Sequence, residues 1–189
     1  MATSNLVRLG GLAAMGGGVI FAVQERLDPG GTLIVPINLA LLSVMAVIVA
    51  LHLLQRERRY GYEGALASAA AFVGVALVLV GGTAVPSMLP GGVMDVMGIG
   101  TDILLMGVGM LVATIGITAL GFFTLNAGVL PWWGGAALIA GNPLLGVILL
   151  FVGLDFLYGA WPVVVPWVVV GFAVFRAASH QTQQPSRVR

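Results

Sequence analysis

The sequence predicts an all-α integral membrane protein, a bundle of six transmembrane helices with both termini in the cytoplasm. Of its 189 residues, 59% are hydrophobic and only 8% are charged, whereas soluble domains carry about a quarter charged residues. So few charges cannot cover a water-facing surface, so most of the surface must face lipid. The other two observations are six apolar runs and an uneven distribution of arginines along the chain.

The six apolar runs are the predicted spans, because a helix needs about 20 apolar residues to cross the bilayer core. They cover residues 6–23, 33–54, 64–85, 103–123, 132–152 and 162–175. Strands of a membrane barrel would instead be alternating segments of about ten residues. Most of these runs are continuous and roughly twice that length, which favours helices. The sixth run is the shortest and needs part of the preceding turn to cross the core.

The first two runs form a predicted hairpin. Arg8 near the start of the first run is typical of a signal peptide, but no small-residue cleavage motif follows at 21–24. Five further apolar runs come after it, so we predict an uncleaved span. The turn at 24–31 contains proline and paired glycines, which indicates a tight connection. The second run ends in the polar segment 55–63.

The four later runs are separated by a long loop and two shorter connections. The third run is rich in alanine and glycine, and the loop 86–102 after it contains two prolines and four glycines. The fourth run precedes an uncharged connection at 124–131. The fifth contains Asn142-Pro143 at its middle, where proline removes a backbone hydrogen bond and predicts a kink. The turn at 153–161 leads into the sixth run.

The arginines predict the orientation, because cytoplasmic loops of membrane proteins are enriched in cations. The predicted location is the cytoplasmic (inner) membrane. With both termini in the cytoplasm, only Arg26 is external. Seven arginines are then cytoplasmic: Arg8, Arg56, Arg58, Arg59, Arg176, Arg187 and Arg189. Residues 1–175 are predicted to be a single bundle. Residues 176–189 are polar without periodicity and predict a disordered cytoplasmic tail.

A faint internal echo suggests that the six runs are three helical hairpins. Leu27-Asp28 is followed by Val35-Pro36, much as Leu154-Asp155 is followed by Val165-Pro166. This pattern would fit a parallel duplication of a hairpin with a third hairpin between. Chance similarity between low-complexity apolar segments is the alternative.

Small residues at four-residue spacing predict close helix packing. Gly10, Ala14, Gly18 and Ala22 lie on one face of the first run. Such stripes let helix backbones approach closely, either within one bundle or between two copies of the chain. Packing within the bundle is the simpler interpretation, because six helices must pack against one another.

The composition excludes several kinds of chemistry. The chain has no cysteine, and all eight of its cationic residues are arginine. Thiolate metal sites, disulfides, cysteine nucleophiles and lysine Schiff bases are therefore excluded. No metal site, no cofactor and no nucleic-acid partner are predicted, and the net charge of +1 indicates nothing about partners.

Polar residues inside the runs are candidate cavity-lining residues, because each is costly in lipid. The candidates are Asn38, His52, Thr114, Thr118, Asn142 and Pro143. Each also has a structural interpretation. A threonine can bond its own helix backbone, Asn142 can bond a neighbouring helix, and His52 beside an arginine cluster can contact lipid headgroups.

Two sets of charged residues are the remaining candidates. Asp95, Asp102 and Asp155 are predicted on the external side, where clustered carboxylates could serve acid–base chemistry. Helix capping and interface solvation are the alternatives. Arg56, Arg58, Arg59 and Arg176 form a predicted cytoplasmic surface for anionic lipid headgroups.

Two segments resemble small polytopic membrane proteins of high-GC bacteria. The segment Val7-Arg8-Leu9-Gly10-Gly11-Leu12-Ala13-Ala14, with the apolar stretch 16–22, is similar to their amino-terminal spans. Ala127-Gly128-Val129-Leu130-Pro131-Trp132-Trp133-Gly134 resembles their loop-to-helix junction. Together these pieces cover under a fifth of the chain. The resemblance implies a small polytopic bacterial membrane protein and no particular activity.

Three functions remain open from the sequence. The first is a non-catalytic structural, accessory or partner-binding bundle, in contact with membrane lipids and with a membrane-protein partner or a second copy. The second is a small transporter or channel with a polar cavity near Asn38 and Asn142. The third is a membrane enzyme that uses the external aspartates. The first is favoured, because the spans contain few ionisable residues.

Overall fold

The computed structural model describes residues 2–27, 34–57, 61–84, 101–141 and 161–183, and within these ranges it contains helices and no strand. The helices are α1 (Ala2–Leu27), α2 (Ile34–Glu57), α3 (Tyr62–Leu79), α4 (Thr101–Ala127), α5 (Trp132–Ala140) and α6 (Trp161–Gln183). A π-helical segment, Val80–Ala84, continues α3. The predicted all-α class is confirmed.

Four of these helices are long and apolar enough to cross a membrane. The membrane-length segments are Thr3–Val23, Asn38–Arg56, Tyr62–Gly82 and Ile103–Ala127. The apolar part of α6, Val164–Ser179, is shorter, and α5 has nine residues. By length and composition, therefore, the chain has the helices of a membrane protein.

Helix α5 ends inside the predicted fifth span. The sequence predicts one span over 132–152 with a kink at Asn142-Pro143; α5 ends at Ala140 and Gly141 lies in a turn, and residues 142–152 lie outside the described residues. The Gly141 N–H donates to the carbonyl of Ala137 at 2.7 Å, which closes the last turn. The physical reason lies in the next two residues, because proline has no N–H and disfavours helical backbone at the residue before it. Asn142 and Pro143 themselves lie outside the described residues.

Three other helices extend beyond the predicted runs. α2 continues to Glu57 and α4 to Ala127, so Gln55 and Thr124 are helical rather than part of connections. α6 continues to Gln183, so the predicted tail boundary at Arg176 falls within this helix. Polar residues at the end of an apolar run therefore extend these helices by one or two turns.

The helices pack in the order in which they occur along the chain. Each contacts the next, and α1 also packs extensively against α6, which closes the series. Neighbours are antiparallel: Gly10 of α1 faces Ala50 of α2, whereas Gly17 faces Ser43. α2 additionally contacts α4 and α6 and is the most central helix.

Glycines bring two pairs of helices into backbone contact. Between α3 and α4, a Cβ added to Gly74 would overlap the backbone of Ala113, and one added to Gly116 would overlap that of Ala71. Between α1 and α6, a Cβ on Gly11 would lie 2.7 Å from the carbonyl oxygen of Gly171. The small residues of α1 thus face helices of the same chain, in agreement with packing within the bundle.

The outer faces of the described helices carry large apolar side chains. On α4, Leu111 and Ile115 are 62% and 66% exposed, and on α1, Leu9 is 60% exposed. Water-facing surfaces of monomeric proteins rarely carry such continuous apolar patches. Lipid is the solvent that this surface fits.

Candidate functional site

One end of the bundle gathers buried polar side chains and an arginine. This polar end comprises Arg8 of α1, Gln55 of α2, Thr124 of α4 and Ser179 of α6. The start of α1 and the ends of α2, α4 and α6 meet there because neighbouring helices are antiparallel. The polar end consists of two separate contacts, one between α2 and α4 and the other between α1 and α6.

The α2–α4 contact is a buried hydrogen bond. The Gln55 amide Nε2 donates to the Thr124 hydroxyl at 3.0 Å. That hydroxyl donates in turn to the Leu120 carbonyl of its own helix at 2.6 Å. Gln55 is 2% exposed and Thr124 is fully buried. The two residues therefore fix the register between two helices that are not neighbours in sequence.

The amide oxygen of Gln55, Oε1, is buried, and no donor among the described residues forms a hydrogen bond with it. An unpaired buried acceptor costs about 1–3 kcal/mol, so the pair stabilises the α2–α4 contact less than a fully satisfied amide would.

The α1–α6 contact is built around a guanidinium group. Arg8 Nη2 donates to the Ser179 hydroxyl at 3.3 Å, and that hydroxyl donates to the Phe175 carbonyl at 2.9 Å. The Arg8 Cζ also lies 5.7 Å from the centroid of the Phe175 ring, within the range of a cation–π interaction. Both described partners of this arginine are therefore neutral.

The apolar runs end before Gln55 and Thr124, so the sequence predicts both residues in connections and does not predict the pair. The signal that finds them is helical spacing. Leu51 precedes Gln55 by four residues, as Leu120 precedes Thr124, and both leucines are fully buried. Extending each buried stripe by one turn places both polar residues in the interior.

Asn38 is half-buried near the start of α2, far from the polar end. Its Oδ1 is buried and has no hydrogen-bond partner among the described residues. The parallel helices α2 and α4 are in register at Gln55 and Thr124. Asn38 therefore lies about 10 Å farther along the bundle than Thr114, at 1.5 Å rise per residue.

The remaining candidate cavity residues are not gathered into one described site. Thr114 and Thr118 are half-buried on α4, and each makes an interaction. His52 is half-buried on α2. Asn142 and Pro143 lie outside the described residues, so the predicted cavity stays a prediction.

The charged candidates are only partly described. Arg56 is exposed in the last turn of α2, and Arg176 is exposed within α6. Asp102 is the second residue of α4, and its side chain lies outside the description. So do Arg58, Arg59, Asp95 and Asp155. The acid–base hypothesis for the three aspartates therefore also stays a prediction.

Within the described ranges, no three histidine, aspartate or glutamate side chains are grouped so as to hold a metal ion. Comparison with known proteins gives no further assignment, since no protein-family model, curated protein or solved structure matches this chain.

Proposed function

We propose that this chain is a six-span protein of the cytoplasmic membrane, with both termini inside, that acts as a structural or accessory subunit. In this role it binds a membrane-protein partner or a second copy of itself. The observation that carries the proposal is the backbone contact between helices, at Gly74 and Gly116 for α3–α4 and at Gly11 and Gly171 for α1–α6.

Backbone contact supports a packed bundle because it fills the space between helices. A transport pathway needs polar side chains around a cavity, whereas glycine contacts replace side chains with opposing backbone. The outer apolar faces of α1 and α4 then supply the contact area for lipid or a partner helix.

The antiparallel order of the helices supports six spans. Four helices have membrane length, and α5 and α6 pack against the others in the same alternation. With α1 starting inside, the ends of α2, α4 and α6 also lie inside. Arg56 and Arg176 are then on the cytoplasmic side, as the positive-inside rule requires.

The orientation is tested with reporter fusions after residue 189 and within 24–31. Alkaline phosphatase is active only outside, whereas green fluorescent protein folds in the cytoplasm. We expect fluorescence from the first fusion and phosphatase activity from the second. Phosphatase activity from a fusion after Arg189 would contradict the six-span topology.

The accessory role is tested by crosslinking in native membranes, purification in mild detergent and mass spectrometry. Two glycines on outer faces provide matched variants, since a Cβ on Gly16 of α1 or on Gly107 of α4 meets no atom within 4 Å. If a partner helix packs on one of these faces, Gly16→Leu or Gly107→Leu will lower its recovery without lowering thermal stability. Recovery of the wild type as a monomer with no stoichiometric partner would contradict the role.

A small transporter or channel is the second candidate, favoured by the buried Oδ1 of Asn38, which has no hydrogen-bond partner in the described part of the chain. Because the chain has no cysteine, single-cysteine variants report water access directly. A water-filled pathway predicts that Thr114→Cys and Thr118→Cys react with a membrane-impermeant maleimide. Ile115→Cys, on the lipid-facing side of the same helix, is the control. Equal protection of all three would exclude a pathway along α4.

A further inference from the structure

Arg8 carries a positive charge within a membrane-length segment and has no described anionic partner. It lies five residues inside the segment Thr3–Val23, which is about 7.5 Å at 1.5 Å per residue. Its described contacts are the Ser179 hydroxyl and the Phe175 ring, and no described carboxylate pairs with it. Ionisable residues within membrane spans are normally paired, and among the described residues this charge has no counter-ion, so an anionic ligand could pair with it.

The side of α1 that carries Arg8 continues as an apolar strip toward the opposite end of the bundle. Leu12 and Val19 follow Arg8 at helical spacing, and they are 49% and 54% exposed. Met15 lies between them against α6, since a Cβ on Gly171 would lie 2.9 Å from the Met15 Cγ.

The matching side of α6 carries a similar strip. Going back from Ser179, Phe175, Phe172 and Val168 follow at spacings of three or four residues. Phe172 is 49% exposed, and Val168 faces Gly18 of α1. The outer edge of the α1–α6 contact thus has a cation at one end and apolar side chains of both helices along its length. We call this surface the Arg8 groove.

We infer that the Arg8 groove binds one anionic phospholipid, with the phosphate at the Arg8 guanidinium and an acyl chain along Leu12, Met15 and Phe172. Charge complementarity carries this assignment, because the guanidinium is held in place by Ser179 and Phe175 but is not neutralised by them. Guanidinium groups suit phosphate oxygens, to which they present several N–H donors in a fixed fork. The exposed Arg176, three residues before Ser179, adds a second cation at the same end.

The apolar walls favour a lipid over a soluble phosphate. A free anion would gain nothing from Leu12 or Phe172, whereas an acyl chain would cover both. The site requires that the bundle lie in a membrane, but it does not depend on the accessory role proposed above.

The test is native mass spectrometry of the full-length protein in nanodiscs that contain equal amounts of phosphatidylglycerol and phosphatidylcholine with identical acyl chains. We expect the wild type to retain one phosphatidylglycerol preferentially. Arg8→Gln should lower this preference about fivefold, the size of one interfacial cation. Arg8→Lys keeps the positive charge but not the forked N–H donors of the guanidinium group, so it should lower the preference less than Arg8→Gln does.

Arg26→Gln is the matched control, because it removes the same charge from the opposite end of the same helix. It should leave the preference unchanged. Equal loss of the preference in Arg26→Gln and Arg8→Gln, or no preference in the wild type, would overturn the assignment.

A second measurement uses the wild type alone and so does not depend on the folding of a variant. Phosphatidylglycerol with a photoreactive acyl chain should label peptides of α1 and α6 that contain Leu12, Met15 or Phe172. Free glycerol phosphate at the same concentration should not compete with it. Labelling confined to α3 and α4, or full competition by glycerol phosphate, would overturn the proposal.

Discussion

Helix α4 contacts α3 through close backbone packing and α2 through a side-chain hydrogen bond. Toward α3 it presents Gly109, Ala113 and Gly116, and the two backbones meet directly. Toward α2 it presents Thr124, whose hydroxyl accepts one buried hydrogen bond from Gln55. The first contact extends over about two helical turns, whereas the hydrogen bond of the second joins a single pair of side chains.

The difference shows what each kind of contact controls. Close approach depends on the absence of side-chain atoms at several positions, so one added methyl group affects the whole interface. A hydrogen bond depends on two residues and fixes helix register, yet in membrane proteins it is worth only about 1 kcal/mol. We therefore expect substitutions in the glycine interface to have the larger effects.

The largest effect is expected for Gly116→Ala. Its Cβ would overlap the backbone of Ala71, and backbone cannot rotate away as a flexible side chain can. We expect the free energy of unfolding to fall by about 3 kcal/mol, measured by unfolding in mixed micelles with increasing SDS. Gly107→Ala on the same helix is the control, because its Cβ enters open space. Equal stability of the two variants would refute the role of close approach.

A smaller loss is expected for Gly11→Ala at the α1–α6 contact. Here the added Cβ would lie 2.7 Å from the Gly171 oxygen and 2.8 Å from the Phe175 nitrogen. These distances require a smaller backbone shift than at Gly116. We therefore expect the free energy of unfolding to fall by about 2 kcal/mol in the same assay. Gly16→Ala, on the open side of α1, should unfold as the wild type does. A loss larger than that of Gly116→Ala would reverse the ranking of the two interfaces.

The smallest effect is expected for Thr124→Val, which keeps the shape of the side chain and removes the hydroxyl. Gln55 then loses the acceptor for its Nε2, and we expect the free energy of unfolding to fall by about 1 kcal/mol. The double variant Gln55→Leu/Thr124→Val should recover part of this loss, because no buried amide is left unpaired. If the double variant is less stable than Thr124→Val, the amide must have a further partner.

The candidate sites differ in how far sequence patterns predict them. The small stripe through Gly10 and Gly18 predicts close packing, and these residues do face other helices of the bundle. The Gln55–Thr124 pair was not predicted, because both residues follow apolar runs and resemble the start of a connection. Their pairing spans 69 residues of sequence, and nothing in either segment indicates which helix it meets.

The sequence by itself determined which medium the surface of the chain faces and the class of its secondary structure. So apolar a chain must face lipid, and in lipid the backbone must satisfy its own hydrogen bonds, which favours helices. Only the tertiary structure decided that α1 closes the series against α6 and that Arg8 lies over Phe175 with neutral partners. The physical reason is that one apolar helix face is much like another, so the choice of neighbour depends on fine differences in shape along the whole interface.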